Sequence, residues 1–158
     1  MALHPDVEAL ACLLGTWVGE GEGRYPSVEE FGYREEISFS HVGKPNVAYR
    51  QSTVHLATGL SSHAEVGFLR GVADREGWVE LVLAHPTGIV EVQEGHLDGT
   101  RIELRSTTMA GTATAKRVDA LHRHVDLDGD RLSYTIDMAA VGQPLQHHLA
   151  AELHRLTV

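Results

Sequence analysis

Short alternating segments separated by glycine turns, repeated through most of the chain, constrain its fold more than any other feature. The clearest follows Asp128-Gly129-Asp130. In Leu132-Ser133-Tyr134-Thr135-Ile136-Asp137-Met138 the even positions are apolar and the odd ones polar, the period-2 pattern of a half-buried strand. Asp98-Gly99 marks a second tight turn, before Arg101-Ile102-Glu103-Leu104. Val66 to Arg70, Trp78 to Ala84 and Gly88 to Glu94 read as strands too, and Tyr33 to Val42 begins irregularly and alternates from Ile37 onward. The count is about ten strands at the spacing of an all-β barrel or sandwich. The single helical segment, Asp6 to Leu14, follows Pro5, with Asp6 as N-cap and Gly15 as stop. No second helix separates the strands, which excludes a parallel α/β sheet. The expectation is one domain over residues 1–158: an all-β, ten-stranded antiparallel up-and-down β-barrel, its short N-terminal helix plugging one mouth.

The formal charge of −9 argues against nucleic acid or an anionic membrane as partner, since either calls for a basic patch. That figure counts the 11 histidines as neutral, and any that protonate reduce it. No apolar run approaches the roughly 20 residues of a membrane helix. Met1 to Val7 lacks the basic start and apolar core of a secretion signal. The one cysteine, Cys12, lies in the apolar run Leu10-Ala11-Cys12-Leu13-Leu14 and reads as packing rather than as a reactive thiol. A cytoplasmic location is expected.

The first strand carries glycines at 15, 19, 21 and 23 around Trp17. Glycines in a strand are costly unless the backbone bends sharply or something approaches it closely. Two readings follow. Trp17, Gly19, Gly21, Gly23 and Tyr25 floor a groove for a flat ligand, or the strand coils tightly and Trp17 fills a closed barrel end. The tail, Pro144-Leu145-Gln146-His147-His148-Leu149-Ala150-Ala151-Glu152-Leu153, holds adjacent histidines, with His154 just beyond. Strict alternation puts Leu149, Ala151 and Leu153 on the apolar face, hence His147 inside and His148 outside; a bulge, or a ligand seated at the barrel rim, would let His148 serve instead. His122 and His124 share one strand face at zinc-ligand spacing, without a third ligand nearby in sequence. Glu35-Glu36 reads as solvated charge at a rim.

Gly15-Thr16-Trp17-Val18-Gly19-Glu20-Gly21, Tyr25-Pro26-Ser27 and the His148-Leu149 tail together resemble the nitrobindins, small barrels that hold haem b on a histidine of the last strand. The resemblance runs from Leu14 to Leu153. It implies haem b held by His148 as iron ligand and reacting residue, with Gly15, Trp17, Gly19 and Gly21 beside the cofactor. Ser27 stands where the family has a cofactor-contacting threonine, keeping the hydroxyl and losing the methyl. His63 and His85 fall at pocket-lining positions and Met138 at a cavity-facing one, while Lys116, next to Arg117, offers charge for the haem propionates. The implied activity is isomerisation of peroxynitrite to nitrate at ferric haem, with nitric oxide as a further ligand, by a monomer or homodimer. Two alternatives stand beside it: a lipocalin-like or fatty-acid-binding-like carrier of an apolar molecule, and a haem or nitric oxide sensor without turnover.

Overall fold

Pairing of the last strand with the first defines the architecture. The computed structural model describes residues 1–157. Among them run ten strands: Gly15–Tyr25 (β1), Val28–Ser40 (β2), Val47–His55 (β3), Ser61–Gly71 (β4), Trp78–Ala84 (β5), Ile89–Asp98 (β6), Arg101–Gly111 (β7), Val118–Asp128 (β8), Arg131–Ala140 (β9) and Gln146–Arg155 (β10). Each lies antiparallel to the next, and β10 pairs with β1 from Trp17↔Arg155 to Gly23↔Leu149. The result is the closed up-and-down barrel that the alternation implied, with no strand edge left open.

β3 was not among the segments read as strands, and β2 begins five residues ahead of the irregular stretch at Tyr33. On β3 the inward positions Gln51 and Thr53 are buried, and on β2 Glu35 is, so the apolar half of the alternation is interrupted. The start of β2, with Val28, Glu29 and Glu30 all exposed, shows no apolar alternation at all. Glu35 therefore corrects the reading of Glu35-Glu36 as a solvated rim. Glu36 is exposed, whereas Glu35 is 2% exposed inside the barrel.

The barrel ends differ. The N-terminal helix, Pro5–Leu13, is of 3-10 type and is capped by His4 rather than Asp6, with His4 Nδ1 accepting from the Asp6 N–H at 3.3 Å. Its Val7, Leu10 and Leu13 are at most 1% exposed, and they close this end together with Trp17, Leu132 and Leu153. Each such side chain contributes about 1.5–3 kcal/mol by leaving water. Trp17 donates its indole N–H to the Leu13 carbonyl at 2.7 Å. Arg155 ties the assembly down: its guanidinium lies 4.1 Å over the Trp17 ring, donates to the Cys12 carbonyl at 2.7 Å and also reaches the Leu14 carbonyl. Cys12 is half-buried against this core.

The glycines of β1 make close approaches possible. A Cβ on Gly19 would stand 2.0 Å from the Glu152 carbonyl oxygen, and one on Gly21 would meet the Tyr33 ring at 2.4 Å. Gly99 is different: nothing lies within 4 Å of a Cβ there, but its φ of +59° is left-handed. Gly19→Ala is expected to cost about 3 kcal/mol through steric displacement of β10. Gly99→Ala is expected to cost about 1 kcal/mol through backbone conformation alone. Urea unfolding of the two variants checks the ranking, and a reversed order would contradict the packing described for β1.

Candidate functional site

At the other end the barrel opens. A cavity of about 580 Å³ reaches inward from a rim that includes Val28, Ser62, Thr87 and Lys116, which belong to successive hairpins at the same end. That volume falls in the range of small-molecule and cofactor pockets, about 300–1,000 Å³. Apolar walls come from Phe31, Ile136, Met138 and Leu149, whereas Tyr33, Gln51, Glu65 and Arg123 supply polar lining.

The orientation of His148 is a backbone effect. β10 pairs with β9 as Gln146↔Met138 and His147↔Asp137, then resumes as Leu149↔Ile136. His148 is the extra residue of a β-bulge, and such an insertion reverses the facing of everything before it. His148 and Leu149 accordingly both line the cavity, and strict alternation, which placed His147 inside, is corrected. His147 lies outside, 3.8 Å from Asp137. The His148 ring packs edge-on to Tyr25, centroids 5.3 Å apart, and its Nδ1 lies 3.0 Å from the Arg24 carbonyl oxygen. A carbonyl only accepts, so Nδ1 carries the proton and Nε2 keeps a free lone pair. Burial pushes this imidazole below its ordinary value, the Arg24 carbonyl opposes that, and His147 and His63 add to it. The neutral, ligand-competent form is the favoured one.

Below His148 the interior holds a layer of buried polar groups. Arg123 donates from Nη1 to Glu65 Oε2 at 3.2 Å, from Nη2 to Glu65 Oε1 at 3.3 Å and from Nη2 to Glu91 Oε1 at 3.4 Å. Tyr49 donates its hydroxyl to Glu65 Oε2 at 3.0 Å, and Gln93 donates to Glu91 Oε2 at 2.8 Å. Burial disfavours an ionised Glu65, but Arg123 and His63 outweigh it and hold the carboxyl well below the usual range. Glu35 is not among the carboxyl groups that accept from this guanidinium. Burial raises its pKa to about 7, even though Gln51 at 2.7 Å and Tyr134 at 2.8 Å both donate to it. Tyr134 in turn meets the Tyr33 hydroxyl at 2.8 Å.

Two histidines connect this layer to the cavity. His85 Nε2 lies 2.9 Å from Glu91 Oε1, and its Nδ1 lies 3.2 Å from His63 Nε2. The His63 backbone is fixed by its N–H donating to Thr53 Oγ1 at 2.9 Å.

The residues singled out in the sequence therefore divide. His63, His85, Lys116, Met138 and His148 line one cavity, whereas Gly15, Trp17, Gly19, Gly21 and Ser27 are not among its lining residues. Trp17 lies in the closed end, and the groove on β1 is filled by side chains from β2: Tyr33 lies over Gly21 and Phe31 over Gly23. Ser27 is exposed in the β1–β2 turn. Lys116 stands at the rim, while Arg117 is engaged by Asp119. His122 and His124 are only half-buried, and His124 lies 3.5 Å from Glu103 on the neighbouring strand. His154 is exposed beside Glu152. Sequence reasoning missed Glu65, Glu91, Gln93 and Arg123 altogether. A signal was available for Arg123, whose inward neighbours Leu121 and Val125 are apolar. Glu65 lies between His63 and Gly67, and Glu91 and Gln93 are each other's inward neighbours, so hydropathy marks neither site.

Residues 6–155 match the family described as the THAP4-like, heme-binding beta-barrel domain. The chain belongs to this family. Among relatives of this heme-binding barrel, "Peroxynitrite isomerase 2" of Mycobacterium avium is 57% identical over 97% of this chain and 96% of its own length. "Peroxynitrite isomerase" of Nocardia farcinica is 52% identical over 98% and 94%. The crystal structure of Rv2717c from M. tuberculosis superposes with a TM-score of 0.91 at 48% identity, covering 99% of this chain and 100% of that one. The S-type phycobiliprotein lyase CPES from Guillardia theta shares the fold at a TM-score of 0.66 and 9% identity. No helix among the described residues is long and apolar enough to cross a membrane.

The polar layer of this heme-binding barrel makes stability depend on pH. Glu35 titrates near 4.5 when unfolded and near 7 when folded, so the protonated form is the one the fold prefers. Its contribution is complete below pH 4.5 and fades as pH rises through 7. Glu35→Gln, which mimics the neutral carboxyl, is expected to gain stability relative to the parent over this interval, by up to about 3 kcal/mol. Urea unfolding at a series of pH values checks this; parallel stability curves would refute it.

Proposed function

We propose that this protein binds haem b in the open-end cavity through His148 and isomerises peroxynitrite to nitrate, with nitric oxide as a second iron ligand. The observation that carries the reading is the bulge at His148 together with the Arg24 carbonyl at 3.0 Å from its Nδ1. Iron in haem takes a neutral imidazole whose other ring nitrogen is held by an acceptor, and His148 meets both conditions. The names of relatives at 52–57% identity supply the reaction.

When bound, ferric haem would supply a Lewis-acidic iron, the chemistry that isomerisation of peroxynitrite to nitrate without net electron transfer calls for. The protein's own contributions are orientation, charge and exclusion of water. Arg24 fixes the tautomer of His148, and Tyr25 restrains its ring edge-on. Phe31, Ile136, Met138 and Leu149 give the flat apolar walls a porphyrin needs. Lys116 at the rim has the charge to meet a propionate, in keeping with the cation that such carboxylates seek. Gly21 and Gly23 act at one remove, by letting Tyr33 and Phe31 lie across β1 and shape the wall. A reducing cytoplasm suits the lone, half-buried Cys12, and the partners are small molecules.

Reconstitution with ferric haem tests the reading. The parent is expected to bind one haem per chain with a histidine-ligated Soret band and to accelerate peroxynitrite decay. His148→Ala should lose both, and His147→Ala should keep both. The parent band should also persist as pH falls through 6.5, the ordinary imidazole value, because the fold favours neutral His148. An unchanged Soret band and decay rate in His148→Ala would overturn the ligand assignment.

A further inference from the structure

The cavity contains a second set of donors that the haem reading leaves unused. His63 Nε2 and His85 Nδ1 lie 3.2 Å apart, His63 Nε2 and Glu65 Oε1 3.5 Å, and His85 Nδ1 and Glu65 Oε1 3.8 Å. Ligands held at about 2.1 Å by a tetrahedral ion stand about 3.4 Å from one another. The three atoms form such a triangle, and a point about 2.0 Å from all of them exists between them. We propose that His63, His85 and Glu65 bind one divalent first-row transition-metal ion, best matched by Zn²⁺, whose fourth position faces the cavity.

The surroundings are those of a prepared site. Metal-bound histidines characteristically donate their second ring nitrogen to a carboxylate, which fixes the tautomer. His85 has that partner: Nε2 donates to Glu91 Oε1 at 2.9 Å, leaving the Nδ1 lone pair aimed at His63 and Glu65. Glu65 is oriented by the Tyr49 hydroxyl at 3.0 Å and by Arg123 on both oxygens. His63 is anchored through its backbone to Thr53. The site needs no rebuilding to accept an ion, only displacement of the proton between the two imidazoles.

Charge favours a cation as well. Arg123 contacts two buried carboxyl groups, Glu65 and Glu91, so one guanidinium stands against two carboxylates in a region of low dielectric. A divalent ion here turns that one excess negative charge into one positive charge, which a small anion in its open position would neutralise. Arg123 lowers the affinity of the site without occupying its centre. Two imidazoles and one carboxylate form a borderline donor set, suited to zinc and its neighbours rather than to calcium or magnesium. Among the described residues this is the group of three metal-competent side chains that converge, whereas His122 and His124 lack a third. All three ligands line the cavity, so an ion enters without local unfolding, and its open position can take a small anion.

The proposal does not depend on haem, and its test separates the two. The haem-free full-length chain is titrated with Co²⁺, whose four-coordinate complexes absorb strongly in the visible. One equivalent is expected to saturate the band, and Zn²⁺ should displace it. His63→Gln, at a side chain 35% exposed, should weaken binding by more than about 100-fold, and Glu91→Gln by about 10-fold through lost orientation of His85. His148→Ala should leave the band unchanged even where it abolishes the Soret band. X-ray absorption on the parent Zn²⁺ complex, which needs no variant, should show two imidazoles and one carboxylate oxygen. No saturable band, undiminished binding in His63→Gln, or loss of the band in His148→Ala would each overturn the site.

Discussion

A single guanidinium organises the inside of this barrel. Arg123, 7% exposed, sits between Glu65 and Glu91 with hydrogen bonds to both. A buried charge without a partner costs several kcal/mol, and removing one member of such a pair typically costs about 3–5 kcal/mol. The arrangement therefore stands or falls together: Glu65 holds its charge because of Arg123, Tyr49 turns its hydroxyl to Glu65, and Glu91 directs His85. This layer divides the interior into two unlike halves. On one side lies the apolar core of Trp17, Leu132 and Leu153 under the N-terminal helix, and on the other the open cavity, apolar along its walls and polar where it meets this layer.

The same layer explains what could be read from the sequence and what could not. Strands with apolar inward positions, such as Leu132, Tyr134 and Ile136 on β9, announce themselves by alternation. Strand number and spacing left barrel and sandwich both open, and the pairing of β10 with β1 is what closes the sheet. Where the inward phase carries Gln51 and Thr53 on β3, or Glu35 on β2, hydropathy no longer marks the inside. The inward phase can still be counted from certain neighbours: Ile37 and Tyr33 flank Glu35, and Leu121 and Val125 flank Arg123. Counting locates a buried charge but does not reveal its partners, because Glu65 and Arg123 are 58 residues apart and meet only through closure.

Likeness to a family and periodicity selected different histidines, and the cavity-facing one is the family's choice. Alternation selected His147, since a bulge leaves no mark in hydropathy, while the motif around His148-Leu149 selected its neighbour, and the structure turns His148 inward. The glycine–tryptophan element shows the opposite limit. Its residues are recognisable in the sequence, yet the structure puts Trp17 at the closed end and gives the glycines to the side chains of β2. Fold alone would not have assigned a ligand, as the shared architecture with a phycobiliprotein lyase at 9% identity illustrates.

The bulge on β10 has an implication for how such a site can change. Which of two adjacent imidazoles looks inward is a matter of parity, settled by one surplus residue rather than by residue type. A one-residue deletion between Pro144 and His148 would abolish the surplus and exchange the two rings, leaving every side chain chemistry intact. A point substitution elsewhere on the strand has no such leverage. The facing of the tail's histidines is thus set by its length more than by the identity of the residues along it.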